Sequence, residues 1–184
     1  MSALGMICRW VAAALGIIVL LAGLAYGLMR INDGPVEFYP WFTISIGGPF
    51  RSGELTSTPA NWGFLQDREE IEIQTLSPTT SRTVWVPVVD GRLYIVSGYM
   101  NSTIGRLWKQ WPAYLEEDNR ILIRDEGKIY EQCLDRVMGD AEKVVPVLAE
   151  LGRKYMGGSG EQIPGSEIAV TSGAIWMFEV SDCE

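Results

Sequence analysis

The most apolar stretch of the chain lies near its N-terminus. Twenty residues from Trp10 to Met29 contain no charged side chain. A helix of that length measures about 30 Å at a rise of about 1.5 Å per residue, which matches the hydrocarbon core of a bilayer. The pattern therefore predicts one membrane-spanning helix within residues 1–31, in contact with lipid through residues 10–29. One domain is expected to follow over residues 32–184.

The ends of the apolar stretch leave two questions open. Residues 25–27 (Ala-Tyr-Gly) also fit a signal-peptide cleavage site, although the stretch is longer than the usual apolar region of about 7–15 residues. Trp10 and Tyr26 lie where amphipathic aromatic side chains favour the interface. Arg9 precedes the stretch, whereas Arg30 is soon followed by acidic residues. The positive-inside tendency therefore predicts a cytoplasmic N-terminus and a domain on the non-cytoplasmic (periplasmic or extracellular) side.

Alternating apolar and polar residues with turn signals predict a series of strands. Residues 71–76 alternate strictly, which is typical of a strand with one buried face. Residues 83–89 and 92–96 flank Asp90-Gly91, a pair that favours a two-residue type I′ hairpin. Because Pro87 has no N–H to donate, its strand is expected at a sheet edge or at a bulge.

Further strands are predicted on both sides of this hairpin. Residues 120–124 and 128–134 form a second hairpin around an Asp-Glu-Gly turn. Residues 36–46 are rich in aromatic and β-branched residues, and residues 174–180 form a last apolar run. Residues 51–66 show no period and are expected to be an irregular connection.

Two helices are predicted between the strands. Residues 102–115 form the first, limited or kinked by Pro112. Residues 140–155 form the second, with Pro146 in its first half and one apolar face opposite its charges. That face consists of Val144, Val145, Leu148, Leu151 and Tyr155. Antiparallel strands with one or two covering helices indicate a mainly β fold, a small closed or half-closed barrel.

Charge and composition exclude several functions. After the first thirty residues the chain carries 13 basic and 23 acidic side chains, a net charge of −10. Such a surface repels phosphate backbones, so no nucleic-acid partner is expected. The chain has no histidine, which removes the commonest general base and metal ligand. Without a ligand cluster, a metal-dependent hydrolase is disfavoured and no metal site is expected.

The three cysteines are far apart and form no CxxC pair, so a structural zinc site is not supported. Cys133 and Cys183 can form a disulfide in an oxidising compartment or remain two thiols. The sequence leaves both alternatives open.

Residues 82–156 carry an order of motifs found in a known family. Arg82 opens a strand, the hairpin follows, and its second strand ends at Ser97 before a polar loop and a helix. The Asp-Asn-Arg sequence at 118–120 leads into the next hairpin, and Lys154-Tyr155 closes the second helix. This order resembles the pyridoxamine 5′-phosphate oxidase-like superfamily, whose members are FMN-binding split barrels. The resemblance implies a split β-barrel here.

The resemblance also implies a cofactor, an activity and a partner. It implies FMN as cofactor, an oxidoreductase with an unknown small-molecule substrate, and a homodimer with cofactor sites between subunits. The residues that it places at the flavin phosphate are Arg82, Ser97, Ser102 and Lys109, with Thr83 and Trp85 near the ring. Hydroxyl and cationic side chains at a barrel mouth suit a phosphate, which prefers charge-assisted donors.

Each of these residues also has an ordinary structural interpretation. Lys109, between Trp108 and Trp111, is either a cation beside aromatic rings or a side chain that passes packed tryptophans to reach solvent. Residues 97–103 form either a binding loop or a plain strand-to-helix connection. A cofactor-free barrel that serves as an envelope binding or assembly module fits the missing histidine and the acidic surface equally well.

Overall fold

The computed structural model describes residues 3–36, 46–102 and 110–183. Its first element is a long helix, α1 (Ala3–Ile31). The segment Gly5–Ile31 is long and apolar enough to cross a membrane, and none of its most apolar part is buried against the rest of the protein. The structure therefore confirms an apolar N-terminal helix of spanning length that is not a core helix.

Within the described residues, ten strands of different lengths form one curled sheet. The strands are β1 (Pro35–Val36), β2 (Ile46–Gly47), β3 (Glu54–Leu55), β4 (Glu70–Leu76), β5 (Thr79–Trp85), β6 (Val88–Val89), β7 (Arg92–Ser97), β8 (Arg120–Asp125), β9 (Lys128–Val137) and β10 (Trp176–Ser181). Their order is β1-β2-β5-β4-β8-β9-β10-β7-β6. All neighbours in this order are antiparallel, and β3 adds a short parallel pairing with β9.

The curled sheet is a half-barrel, which confirms the predicted mainly β split-barrel class. Its concave side encloses the larger core, which includes Ile73, Val84, Ile95, Ile121 and Phe178. Two of the helices, α3 (Ala141–Tyr155) and α4 (Ile168–Thr171), contribute to a second core with β7, β9 and β10. Another helix, the short α2 (Trp111–Tyr114), packs on the larger core.

The two predicted hairpins are present. Asp90 and Gly91 have φ values of 51° and 74°, the positive pair that a type I′ turn requires. The predicted strand at 83–89, however, is divided at Pro87: β5 pairs with β4, and β6 pairs with β7. As expected for a residue without an N–H, Pro87 lies outside both ladders, and β6 ends the sheet.

The predicted helices are confirmed in part. Asp140 caps α3 by accepting a hydrogen bond from the N–H of Glu142 (3.0 Å), and the helix ends at Tyr155 as predicted. Its buried residues are Val144, Val147 and Leu151. Of the helix predicted over residues 102–115, only Trp111–Tyr114 (α2) is helical, so the prediction is wrong for residues 102, 110 and 115. Residues 103–109 lie outside the described residues.

The remaining predictions concern the connections. Of the strand predicted over residues 36–46, the described part forms the ends β1 and β2, and residues 37–45 lie outside the described residues. The connection at 51–66 contains β3 and a 3₁₀ turn at Gly63–Leu65. Cys133 and Cys183 are joined by a disulfide, with their Cα atoms 5.1 Å apart, which decides the question that the sequence left open.

Candidate functional site

Arg82 extends from β5 into the concave side of the half-barrel. Side chains alternate along a strand, and Val84, two residues further on, belongs to the barrel core. The Nη2 of Arg82 donates to Thr80 Oγ1 (2.7 Å), and its guanidinium carbon lies 5.2 Å from the centre of the Trp111 ring. Its Nε is buried and has no hydrogen-bond acceptor.

Arg82 is a half-buried cation, and its electrostatic surroundings are unusual. Burial lowers the pKa of Arg82 to about 10, and only the Tyr114 hydroxyl opposes this effect. Arg82 is therefore still a cation at neutral pH, and among the described residues no carboxylate forms an ion pair with it. A buried charge without a partner costs free energy.

The short helix α2 covers this guanidinium. Trp111 is buried, and its ring centre lies 6.0 Å from that of Phe178 in β10. Tyr114 packs on the same core and donates its hydroxyl to Gln110 Oε1 (3.0 Å). Pro112 fits the first turn of α2, where N–H groups have no partner within the helix. The interpretation of the sequence missed Trp111 and Tyr114 as neighbours of Arg82, although their spacing of three residues favours one helix face.

Thr83 and Trp85 lie on the outer face of β5, opposite to Arg82, because successive residues of a strand point to opposite sides. Thr83 borders a polar surface groove between β4, β5 and β8. The Trp85 ring stacks on Tyr155, with ring centres 4.5 Å apart and planes within 7°. The structure therefore does not bring these two predicted ring contacts together with Arg82.

Ser97 and Ser102 make local contacts around the loop after β7. Ser97 is buried, and its Oγ lies 3.4 Å from the Met100 sulfur. Ser102 is exposed and donates its Oγ to the backbone carbonyl of Tyr99 (2.8 Å). Lys109 lies outside the described residues. Of the predicted phosphate contacts that are described, Arg82 is the only cation.

Lys154 and Tyr155 attach the end of α3 to the barrel. The Nζ of Lys154 donates to the carbonyls of Arg68 (2.8 Å) and Val86 (2.7 Å). The Tyr155 hydroxyl accepts from the N–H of Val86 (2.8 Å) and donates to the carbonyl of Glu69 (2.5 Å). Burial lowers the pKa of Lys154 and raises that of Tyr155. The pair fixes the start of β4 and the end of β5, the strand that carries Arg82.

Comparison with protein-family models and with curated proteins gives no match for this chain. Within the described ranges, no three His, Cys, Asp or Glu side chains are placed to hold a metal ion. The function is therefore inferred from the chemistry around Arg82.

Proposed function

We propose that the chain is a membrane-anchored oxidoreductase that binds FMN, with the FMN phosphate held by Arg82. The observation that carries this proposal is the buried Nε of Arg82, which has no acceptor although the residue as a whole is half-buried. A phosphate oxygen is a suitable acceptor, since charge-assisted hydrogen bonds are the strongest available to arginine. A half-buried group with a shifted pKa in a concave part of a structure is also typical of functional sites.

The described residues fit the phosphate of FMN better than its ring. Thr83 and Trp85 cannot join Arg82 in one pocket of a protomer, because they lie on the other face of β5. The aromatic side chains on the Arg82 side are Trp111 and Tyr114. When bound, the flavin would supply hydride or electron transfer, and the protein would supply binding and orientation. The homodimer implied by the family resemblance is part of the proposal, and the substrate is left unassigned.

Flavin binding is tested with the full chain purified in detergent. We expect oxidised-flavin absorbance in the wild type and tighter binding of FMN than of riboflavin, which lacks the phosphate. Arg82→Ala should abolish this preference. Arg92→Ala is the matched control, because Arg92 is an exposed strand arginine paired with Glu179 (2.9 Å). A colourless wild type that binds FMN no better than riboflavin would overturn the proposal.

A second candidate is a cofactor-free envelope binding or assembly module. The separation of Thr83 and Trp85 from Arg82 across β5 favours it, because the predicted contacts do not line one pocket. In the experiment above, a folded, colourless protein that is indifferent to FMN would support this function instead.

The domain is proposed to lie on the non-cytoplasmic side of the membrane. The Cys133–Cys183 disulfide supports this placement, since disulfides form and persist mainly in oxidising compartments. The positive charges around the N-terminal helix favour the same orientation.

A further inference from the structure

The end of α1 is bonded directly to the barrel. The Nη1 of Arg30 donates to the carbonyl of Gly47 (2.8 Å), and its Nη2 donates to the carbonyl of Thr79 (2.7 Å). Gly47 belongs to β2, and Thr79 is the first residue of β5. One side chain in the last turn of the helix therefore holds two strands of the sheet.

The turn after α1 is fixed as well. The Asp33 carboxylate accepts hydrogen bonds from the Arg124 guanidinium (2.7 Å), the N–H of Arg51 (2.7 Å) and the Ser52 hydroxyl. Gly34 has a φ of 83°, and a Cβ built there would lie 2.1 Å from Nη2 of Arg124. The helix and the barrel are thus connected by a packed joint, unlike the flexible linkers that separate independent domains.

This joint places the tip of the β4–β5 hairpin at the level where α1 ends. The segment able to span a membrane ends at Ile31. The residue before it, Arg30, reaches the carbonyl of Thr79 with its side chain. Ser77 and Pro78 at the tip are exposed. At about 3.3 Å per strand residue, Arg82 lies roughly 10 Å along β5 from Thr79.

The charge of the hairpin suits the same position. Residues 73–81 carry no charged side chain, although the chain after residue 30 has a net charge of −10. Anionic headgroups repel acidic surfaces and attract basic ones. An uncharged tip with the exposed Ser77 hydroxyl is therefore a part of this acidic domain that can approach such headgroups at little electrostatic cost.

We propose that residues 76–79 lie in the headgroup region of the bilayer that holds α1, so that the joint fixes how the barrel is oriented on the membrane. The partner of this surface is lipid. The proposal rests on the membrane anchoring proposed above and is independent of flavin binding.

Spin labels on the full chain in phosphatidylcholine and phosphatidylglycerol vesicles test this placement. In a Cys8→Ser background, Ser77→Cys reports on the hairpin tip. Asp67→Cys reports on an exposed position just before the start of β4, at the opposite end of that strand from the tip. Leu20→Cys reports on the middle of α1. We expect a higher ratio of oxygen to nickel-chelate accessibility at 77 than at 67, and the highest ratio at 20. Equal aqueous ratios at 77 and 67 with a lipid-exposed label at 20 would overturn the placement, whereas an aqueous label at 20 would overturn the anchoring itself.

The role of the joint is tested by Arg30→Gln. We expect the label at 77 to gain mobility and nickel-chelate accessibility, because the bonds to Gly47 and Thr79 are lost. Arg9→Gln removes the charge at the other end of the helix and should leave the label unchanged. An unchanged line shape at 67 verifies that the barrel is folded. A label that stays at the interface in Arg30→Gln would overturn the role of the joint.

Discussion

Arg82 and Lys154 are both removed in part from water, and burial lowers the pKa of each. Lys154 is compensated by the carbonyls of Arg68 and Val86, whereas the Nε of Arg82 has no acceptor. A compensated cation contributes to stability, and an uncompensated one is available for a ligand. This difference between two single side chains is the reason that Arg82, and not Lys154, carries the functional proposal.

Lys154→Met is expected to lower the free energy of unfolding by about 1–3 kcal/mol, because two partly buried hydrogen bonds to backbone carbonyls are lost. Denaturant unfolding in detergent measures this change. Lys128→Met is the control, since Lys128 is exposed at the start of β9, and it should change stability little. Equal stability of the Lys154→Met variant and the wild type would contradict the attachment of α3 through this residue.

Adjacent residues of the candidate site show what the sequence could and could not predict. Arg82 and Thr83 are neighbours in a strand, so alternation alone predicts that they point to opposite faces. The family resemblance predicted that Arg82 and Thr83 contact the same cofactor, without regard to their positions on opposite faces of the strand. Trp111 and Tyr114 could not be assigned to Arg82 from the sequence, because their contact depends on packing across the barrel.

At the scale of elements, local signals predicted the structure better than long-range ones. Asp90-Gly91 identified its hairpin because the turn geometry is encoded in two residues. The division of residues 83–89 between two different neighbours was not predictable, because it depends on the curl of the whole sheet. In α3, Val144, Leu148, Leu151 and Tyr155 pack on the second core as predicted, whereas Val147 is buried there in place of Val145. The sheet beneath the helix selects which part of a broad apolar face is covered.

The turn after α1 should depend on pH through Asp33. Hydrogen bonds from the Ser52 hydroxyl and the Arg51 N–H, together with the Arg124 guanidinium, hold the pKa of Asp33 well below its usual range. A lowered carboxyl pKa stabilises the folded state above the ordinary value of about 4, and this contribution is lost as the pH falls through the folded-state value. Asp33→Asn should therefore be less stable than the wild type at neutral pH, with a difference that shrinks in acid.

Unfolding of the two proteins across this pH range measures the effect. The exposed Asp67→Asn substitution is the control and should show a small difference at every pH. A stability gap between Asp33→Asn and the wild type that is constant down to the acid limit would contradict the role of the charged carboxylate.

At the scale of the whole molecule, the anchor and the barrel are one connected body. Arg30 and Asp33 bond the helix end to β2, β5 and β8, so the orientation of the barrel follows the orientation of α1. With α1 spanning the bilayer as proposed, Arg82 would lie near the membrane surface, at a height set by the first half of β5.

The side of the membrane on which the barrel domain lies is checked with reporters fused after residue 184. A reporter that is active only outside the cytoplasm should be active, and a cytoplasmic reporter should be inactive. Fusions before residue 1 are the reciprocal control and should give the opposite result. An active cytoplasmic reporter at the C-terminal fusion would reverse the proposed topology.

The position of β10 between β9 and β7 has a consequence for how the protein is made. Both neighbours of this strand leave the ribosome before it does, so β7 and β9 each present an unpaired edge while residues 138–175 are synthesised. Unpaired edges are templates for aggregation, and these two edges remain open until β10 has been made. Pairing of β10 therefore completes the sheet last, and it brings Cys183, which follows this strand, next to Cys133 in β9.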